Sequence, residues 1–184
     1  MFSALTKANW GLTFFAWRYI PLIGFCKPKI IRMDSTTLEV TMPHSWRTKN
    51  HLGSIYFGAL AIGADLAGAF LVFSKASARG VNANFAFKDV QGQFLKRPEA
   101  TVHFTSHDGA VIDAMIDESL ATGERINKPV SVVITCPTLH GDEPMATFTL
   151  TLSVKAKKQK NSKSLILYII LIFSALKRTT NVRN

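Results

Sequence analysis

The chain has 184 residues, 47% of them hydrophobic, which suits one globular domain with a modest core and argues against general disorder. Its formal charge of +10 suggests nucleic acid, but from Lys155 onward there are eight bases and no acids, so the body is nearly neutral. No aromatic–basic strand pattern supports a nucleic-acid partner. Two cysteines, Cys26 and Cys136, make neither a disulfide framework nor a metal-binding pair, and the simplest expectation is a reducing, cytoplasmic compartment.

Ser3–Tyr19 reads as a helix, with Ser3 or Thr6 as cap, an apolar side of Trp10, Phe14, Phe15 and Trp17, and Pro21 and Gly24 as stops. Packing over the mouth or outer edge of a sheet and resting on lipid are its two readings. It lacks the basic, apolar and small-residue order of a signal peptide. Lys29–Met33 and Thr37–Met42 read as strands joined by a turn at Asp34–Thr36, with Leu38, Val40 and Met42 on one face.

After a loop at Pro43–Lys49 comes Asn50–Ser74, NHLGSIYFGALAIGADLAGAFLVFS. This run is expected to be a single central helix that the sheet covers. It is nearly long enough to span a bilayer, which takes about 20 residues, but its glycines and Asp65 favour burial in protein. Val81–Asp89 alternates as a strand, with Val81, Ala83, Phe85 and Phe87 on one face. A polar turn is expected in Gln91–Arg97, then a strand at Ala100–Thr105 and a short helix at Gly109–Leu120 capped by Asp108. The last two strands are Arg125–Thr135 and Ala146–Val154, joined by a loop at Pro137–Pro144. The order suggests an α+β fold, an antiparallel sheet on one apolar helix. Residues 1–157 are expected to form the domain and 158–184 a tail. The tail's apolar Leu165–Leu176 is too short for an ordinary spanning helix, but its basic flanks suit weak membrane contact.

Asp65 is the sharpest candidate for chemistry. Ionised among Ile62, Leu66, Phe70 and Leu71 it needs partners. It is either a general base or nucleophile, or a helix-interior carboxylate bonded to a serine, a backbone group or water. The helix start is the second feature: Asn50 and Ser54 are expected to cap it, and its free N–H groups would polarise a carbonyl. Phe57 and Asp65 are eight residues apart, roughly 12 Å along the axis. One helix therefore does not present both to one carbonyl, whereas two copies related by a two-fold do. No HExxH, P-loop, GxGxxG or nucleophile elbow occurs, so no metal site, nucleotide site or serine triad is expected.

The segment Asn50-His51-Leu52-Gly53…Gly58…Asp65-Leu66-Ala67 resembles the PaaI-like acyl-CoA thioesterases of the hotdog fold, in which an antiparallel sheet wraps a long central helix. Their signature runs Asn-x-x-Gly-x-x-His-Gly-Gly, with an acidic residue later on the helix. Asn50 and Gly53 match its opening, Gly58 its last glycine and Asp65 its acidic position. The resemblance is closer still to the DUF4442 branch and covers about Phe14–Lys157. Tyr56 stands where the signature has histidine and Phe57 where it has the first glycine; Phe57 keeps that position's backbone N–H.

The resemblance implies a hydrolase of fatty-acyl or related thioesters, with catalytic Asp65, Phe57 and Asn50 at a dimer interface. Substrate would meet His51, Gly53, Ser54, Tyr56 and Gly58, and Lys88, Lys96 and Arg97 would meet the phosphates of coenzyme A. It implies a homodimer or tetramer and no cofactor beyond the coenzyme A of the substrate. A non-catalytic acyl- or lipid-binding protein on the same fold is the alternative, motivated by Tyr56 and Phe57.

Overall fold

A computed structural model describes residues 2–158 of the chain. Six strands form one antiparallel sheet: β1 (Lys29–Met33), β2 (Leu38–Met42), β3 (Val81–Phe94), β4 (Val102–Ser106), β5 (Ile126–Thr135) and β6 (Pro144–Lys158). Their spatial order is β1-β2-β4-β5-β6-β3, so β1 and β3 are the edges. The helices are α1 (Ala4–Tyr19), α2 (Pro21–Cys26), α3 (Phe57–Ala78), α4 (Gly109–Thr122) and the single turn α5 (Pro137–His140).

Period-two burial decides which face of the sheet meets α3. Leu38, Val40, Met42, Val102, Phe104, Val130, Val132, Ile134, Leu150 and Leu152 are all buried, while Thr149 and Ser131 point to solvent. On this face α3 packs against β2 through β6. By length and composition α3 could also cross a bilayer, but the sheet and α4 cover it as a core helix. Lys75 of α3 and Arg79, its C-cap residue, pair with Asp113 and Asp117 of α4, which fixes α4 beside it. The result is the expected α+β hotdog architecture. The expected basic tail begins at the end of β6; beyond Lys158 it lies outside the described residues.

The two sheet edges are treated differently. At β1, Asn9 of α1 donates from Nδ2 to Ile30 O (2.8 Å), and Ile30 N donates to Asn9 Oδ1 (2.9 Å). One side-chain amide thus imitates a neighbouring strand. Asn9→Ala leaves both Ile30 groups without that partner. Its expected cost is about 1–3 kcal/mol, read as a lower urea midpoint, with faster proteolysis within α1. Among the described residues, β3 has no strand beyond it in the sheet.

Several boundaries differ from the sequence expectation, each for a local reason. The central helix starts at Phe57 rather than Asn50. Asn50–Ser54 closes on itself instead: Asn50 N donates to Ser54 O (2.8 Å), and Asn50 Oδ1 accepts from Leu52 N (2.9 Å). Gly53 supplies the left-handed φ of 83° that the turn requires. Asn50 and Ser54 therefore do not cap the helix; extended Tyr56 occupies the cap position with no side-chain cap bond. The helix also runs past Ser74 to Ala78, because Lys75 and the alanines continue it readily.

The polar turn expected in Gln91–Arg97 is largely strand. A bulge at Lys88–Asp89 shifts the register, and Val90–Phe94 then pair with Leu150–Ala146. Pro21, read only as a stop, starts α2 at a position where proline is favoured. Pro137 starts α5 in the expected loop in the same way. Asp108 precedes α4 but makes no side-chain cap; its carboxylate accepts from Ser131 N (2.6 Å), a β5 group beyond the reach of β4.

Candidate active site

Of the three residues singled out for catalysis, Phe57 and Asp65 lie on α3 and Asn50 lies in the turn before it, and the structure shows what each is free to do. Ala59 N and Leu60 N both donate to Tyr56 O, at 2.9 and 3.1 Å. The N–H groups of Phe57 and Gly58 precede the first intrahelical bond and stand at the positive end of the helix dipole. Two turns further on, Asp65 is half-buried. Burial pushes its carboxyl pKa up, and no hydrogen bond or ion pair within the described residues offsets this. Gly58, Ala61, Ile62 and Asp65 follow helical spacing and are all only partly covered, so they form one open stripe.

β3 runs beside that stripe in the opposite direction. Phe57 meets Phe94 edge-on (centroids 6.4 Å), a Cβ on Gly68 would lie 3.6 Å from Phe87, and Phe73 meets Phe85 (4.8 Å). Asp65 therefore lies alongside the half of β3 between Phe87 and Phe94. The outer end of this surface is apolar: Tyr56, Phe57, Val90, Phe94 and Leu95 are all exposed. The sequence alone does not single out Val90, Phe94 and Leu95, because it predicts the strand to end at Asp89 and a turn to follow in Gln91–Arg97; an apolar residue at 90 and at 94 is the available signal.

The remaining candidates fall into two groups. Asn50, Gly53 and Ser54 form the turn that leads into α3, with Asn50 Nδ2 donating to Ser54 Oγ (3.1 Å) and His44 Nε2 donating to Gly53 O. His51 is exposed on this turn. Lys88 is exposed at the β3 bulge, and Lys96 and Arg97 are exposed just past the end of β3. Lys96 already pairs with Glu143 at 2.5 Å. A shallow cleft of about 360 Å³ lies elsewhere, near the other end of α3, but Lys75 and Asp113 within it neutralise each other.

Tyr56 and Phe57 give the helix start an unusual shape. Their rings meet at 63° with centroids 5.0 Å apart. The Tyr56 ring lies so close over Gly58 that an added Cβ would fall 2.5 Å from its Cε1. A side chain at 58 would thus have to push the exposed Tyr56 ring aside, and the tyrosine occupies space directly over the first turn.

The family model for DUF4442, a domain of unknown function, matches residues 9–154. The chain belongs to this family. None of the curated proteins is detectably similar in sequence. Among solved structures, a protein of unknown function from Chlorobaculum tepidum is similar with a TM-score of 0.71 at 16% identity, over 82% of this chain and 96% of that one. A candidate thioesterase from Shewanella oneidensis gives 0.68 at 14%, over 82% and 99%. The PaaI protein of the phenylacetic acid degradation operon of Escherichia coli gives 0.53 at 18%, over 81% and 94%. At such identities these likenesses establish the hotdog fold that the DUF4442 family shares with PaaI-like proteins.

Proposed function

We propose that this DUF4442 protein is a cytoplasmic acyl-thioester hydrolase that works as a homodimer paired through β3. One observation carries the reading. The first-turn N–H groups and a half-buried carboxylate with no partner among the described residues share one open stripe, too far apart to act together within a protomer, beside a strand edge that no described strand pairs. An antiparallel β3–β3 pair would bring the start of α3 towards Asp65 of the partner subunit. It would also cover Val90 and Phe94.

In this arrangement the thioester carbonyl oxygen accepts from Phe57 N–H. Asp65 of the partner subunit takes a proton from water as the water oxygen bonds to the acyl carbon. The oxyanion collapses, the C–S bond breaks, and the leaving thiolate receives the proton from the Asp65 carboxyl. In the direct route, an Asp65 oxygen bonds to the acyl carbon, thiolate leaves, and water hydrolyses the resulting anhydride. Lys88 and Arg97 meet the phosphates of coenzyme A, and apolar surface between α3 and β3 takes the acyl chain. The Asn50 amide bonds within its turn, and in this reading Asn50 holds the approach to Phe57.

The test is release of free thiol from acyl-CoAs of graded chain length, with sedimentation to read assembly. Turnover by a dimer is expected. Turnover by a strictly monomeric species would overturn the shared site. The ring of Tyr56 over Gly58 favours a second reading, an acyl-binding protein without catalysis. Tight acyl-CoA binding without thiol release would select it.

A further inference from the structure

The surface of α1 and α2 is built unlike that of an ordinary amphipathic pair. Leu12 and Ala16 face the core, and Asn9 ties the same side to β1. On the opposite side, Trp10, Phe14 and Trp17 follow helical spacing and are 45%, 41% and 58% exposed. α1 is therefore apolar on both faces, which in a helix lying at the surface implies a second apolar environment.

The exposed patch continues from α1 by contact. A Cβ on Gly24 would fall 3.0 Å from the Trp17 ring, so α2 packs beneath that indole. Leu22 and Phe25 face outward from α2, and Phe25 meets Trp46 edge-on at 5.7 Å. Trp46 is 68% exposed, and the Arg47 guanidinium sits 4.6 Å from its ring. A run of exposed aromatics of this extent marks an interaction site. Its charge is one-sided: residues 1–33 contain Lys7, Arg18, Lys27, Lys29 and Arg32 and no acid.

We propose that the outward face of α1 and α2, with the Trp46 loop, docks this protein onto a bilayer carrying anionic lipids. Indole rings suit the headgroup boundary, where one part of the ring is wet and the rest apolar. Lys7 and Arg18 flank the aromatic stripe and meet the anionic headgroups. A second copy is the poorer occupant, because identical basic faces would repel one another. The proposal does not depend on the catalytic reading, since the patch shares no residue with α3 or β3.

All three tryptophans of the chain, Trp10, Trp17 and Trp46, lie in this surface, and none lies in residues 159–184. Indole emission therefore reports on the patch and not on the basic C-terminal segment. Full-length protein is floated with vesicles of phosphatidylcholine, alone or mixed with phosphatidylglycerol, some carrying brominated acyl chains. Binding to the mixed vesicles is expected, with emission shifted to shorter wavelength and quenched by bromine. Lys7→Ser with Arg18→Ser should weaken partitioning by roughly 25-fold, about fivefold for each base. Trp10→Ser, Phe14→Ser and Trp17→Ser together should abolish it, with circular dichroism reporting the fold; should that variant not fold, the Lys7 and Arg18 pair decides. Failure to float, flotation with unquenched indoles, or loss of self-association in place of loss of flotation would each overturn the proposal.

Discussion

Asp65→Asn is expected to lower acyl-thioester turnover by about three orders of magnitude, within the range that a positioned general base supplies. Asparagine keeps the size of the side chain and removes the charge, so the acyl site and the β3 edge are left as they are. In the proposed mechanism ionised Asp65 is the working form, so the acid limb of kcat/KM should lie above the ordinary aspartate value of 3.8. The stability effect runs the other way. A carboxyl whose folded pKa is raised holds a proton in the native state that the unfolded state has released. Native stability therefore falls as pH rises from the ordinary value through the folded one. Removing the ionisable group removes that loss, so Asp65→Asn should melt at a higher temperature at neutral pH while hydrolysing more slowly. Thiol release and thermal melts over a pH series check both halves. Unchanged turnover would take Asp65 out of the mechanism.

The second large effect is at Gly63, where helix propensity and packing make opposite predictions. Alanine is favoured over glycine inside a helix by about 1 kcal/mol. Yet a Cβ at this position would lie 2.2 to 2.5 Å from Cζ, Cε1 and Cε2 of Phe104. That ring is fully buried on β4, between β2 and β5, and has no space into which to retreat. Packing should win: Gly63→Ala is expected to cost a net 2–3 kcal/mol or so, lowering the urea midpoint with little change in slope. Phe104→Leu trims the opposing ring. Combined with Gly63→Ala it should cost less than the sum of the single changes, which gives a coupling energy for the contact. Wild-type stability in Gly63→Ala would mean that the helix does not press on this ring.

The sheet was legible where one face is buried and the other wet. Thr37–Met42, Val81–Phe87 and Ala146–Val154 all alternate in that way. Legibility failed where a local bond or a distant partner decided the outcome. Nothing in the order of Asn50–Ser54 shows that the Asn50 amide closes a turn before the helix begins. Gln91–Phe94 looks like a loop until β6 is found beside it. At the candidate site, Asp65 and the helix start could be picked out because a carboxylate in an apolar run, and free N–H groups at a helix start, are costly or polar wherever they occur. The ring of Tyr56 over Gly58 depends on a local side-chain orientation, and the place of Val90 and Phe94 beside α3 on contacts between elements; the apolar residues at 90 and 94 could be read, but their position could not.

The Asn9 clamp has a consequence for assembly. A sheet with two bare margins invites head-to-tail growth without limit. Here one margin is already satisfied by a side-chain amide, so β1 offers nothing to a newcomer at Ile30. Any strand added at β3 by a second copy would use the margin that, among the described residues, neither a strand nor a side-chain amide occupies. In the proposed β3–β3 pairing such growth would close at two members, with Asn9 opposing addition at Ile30.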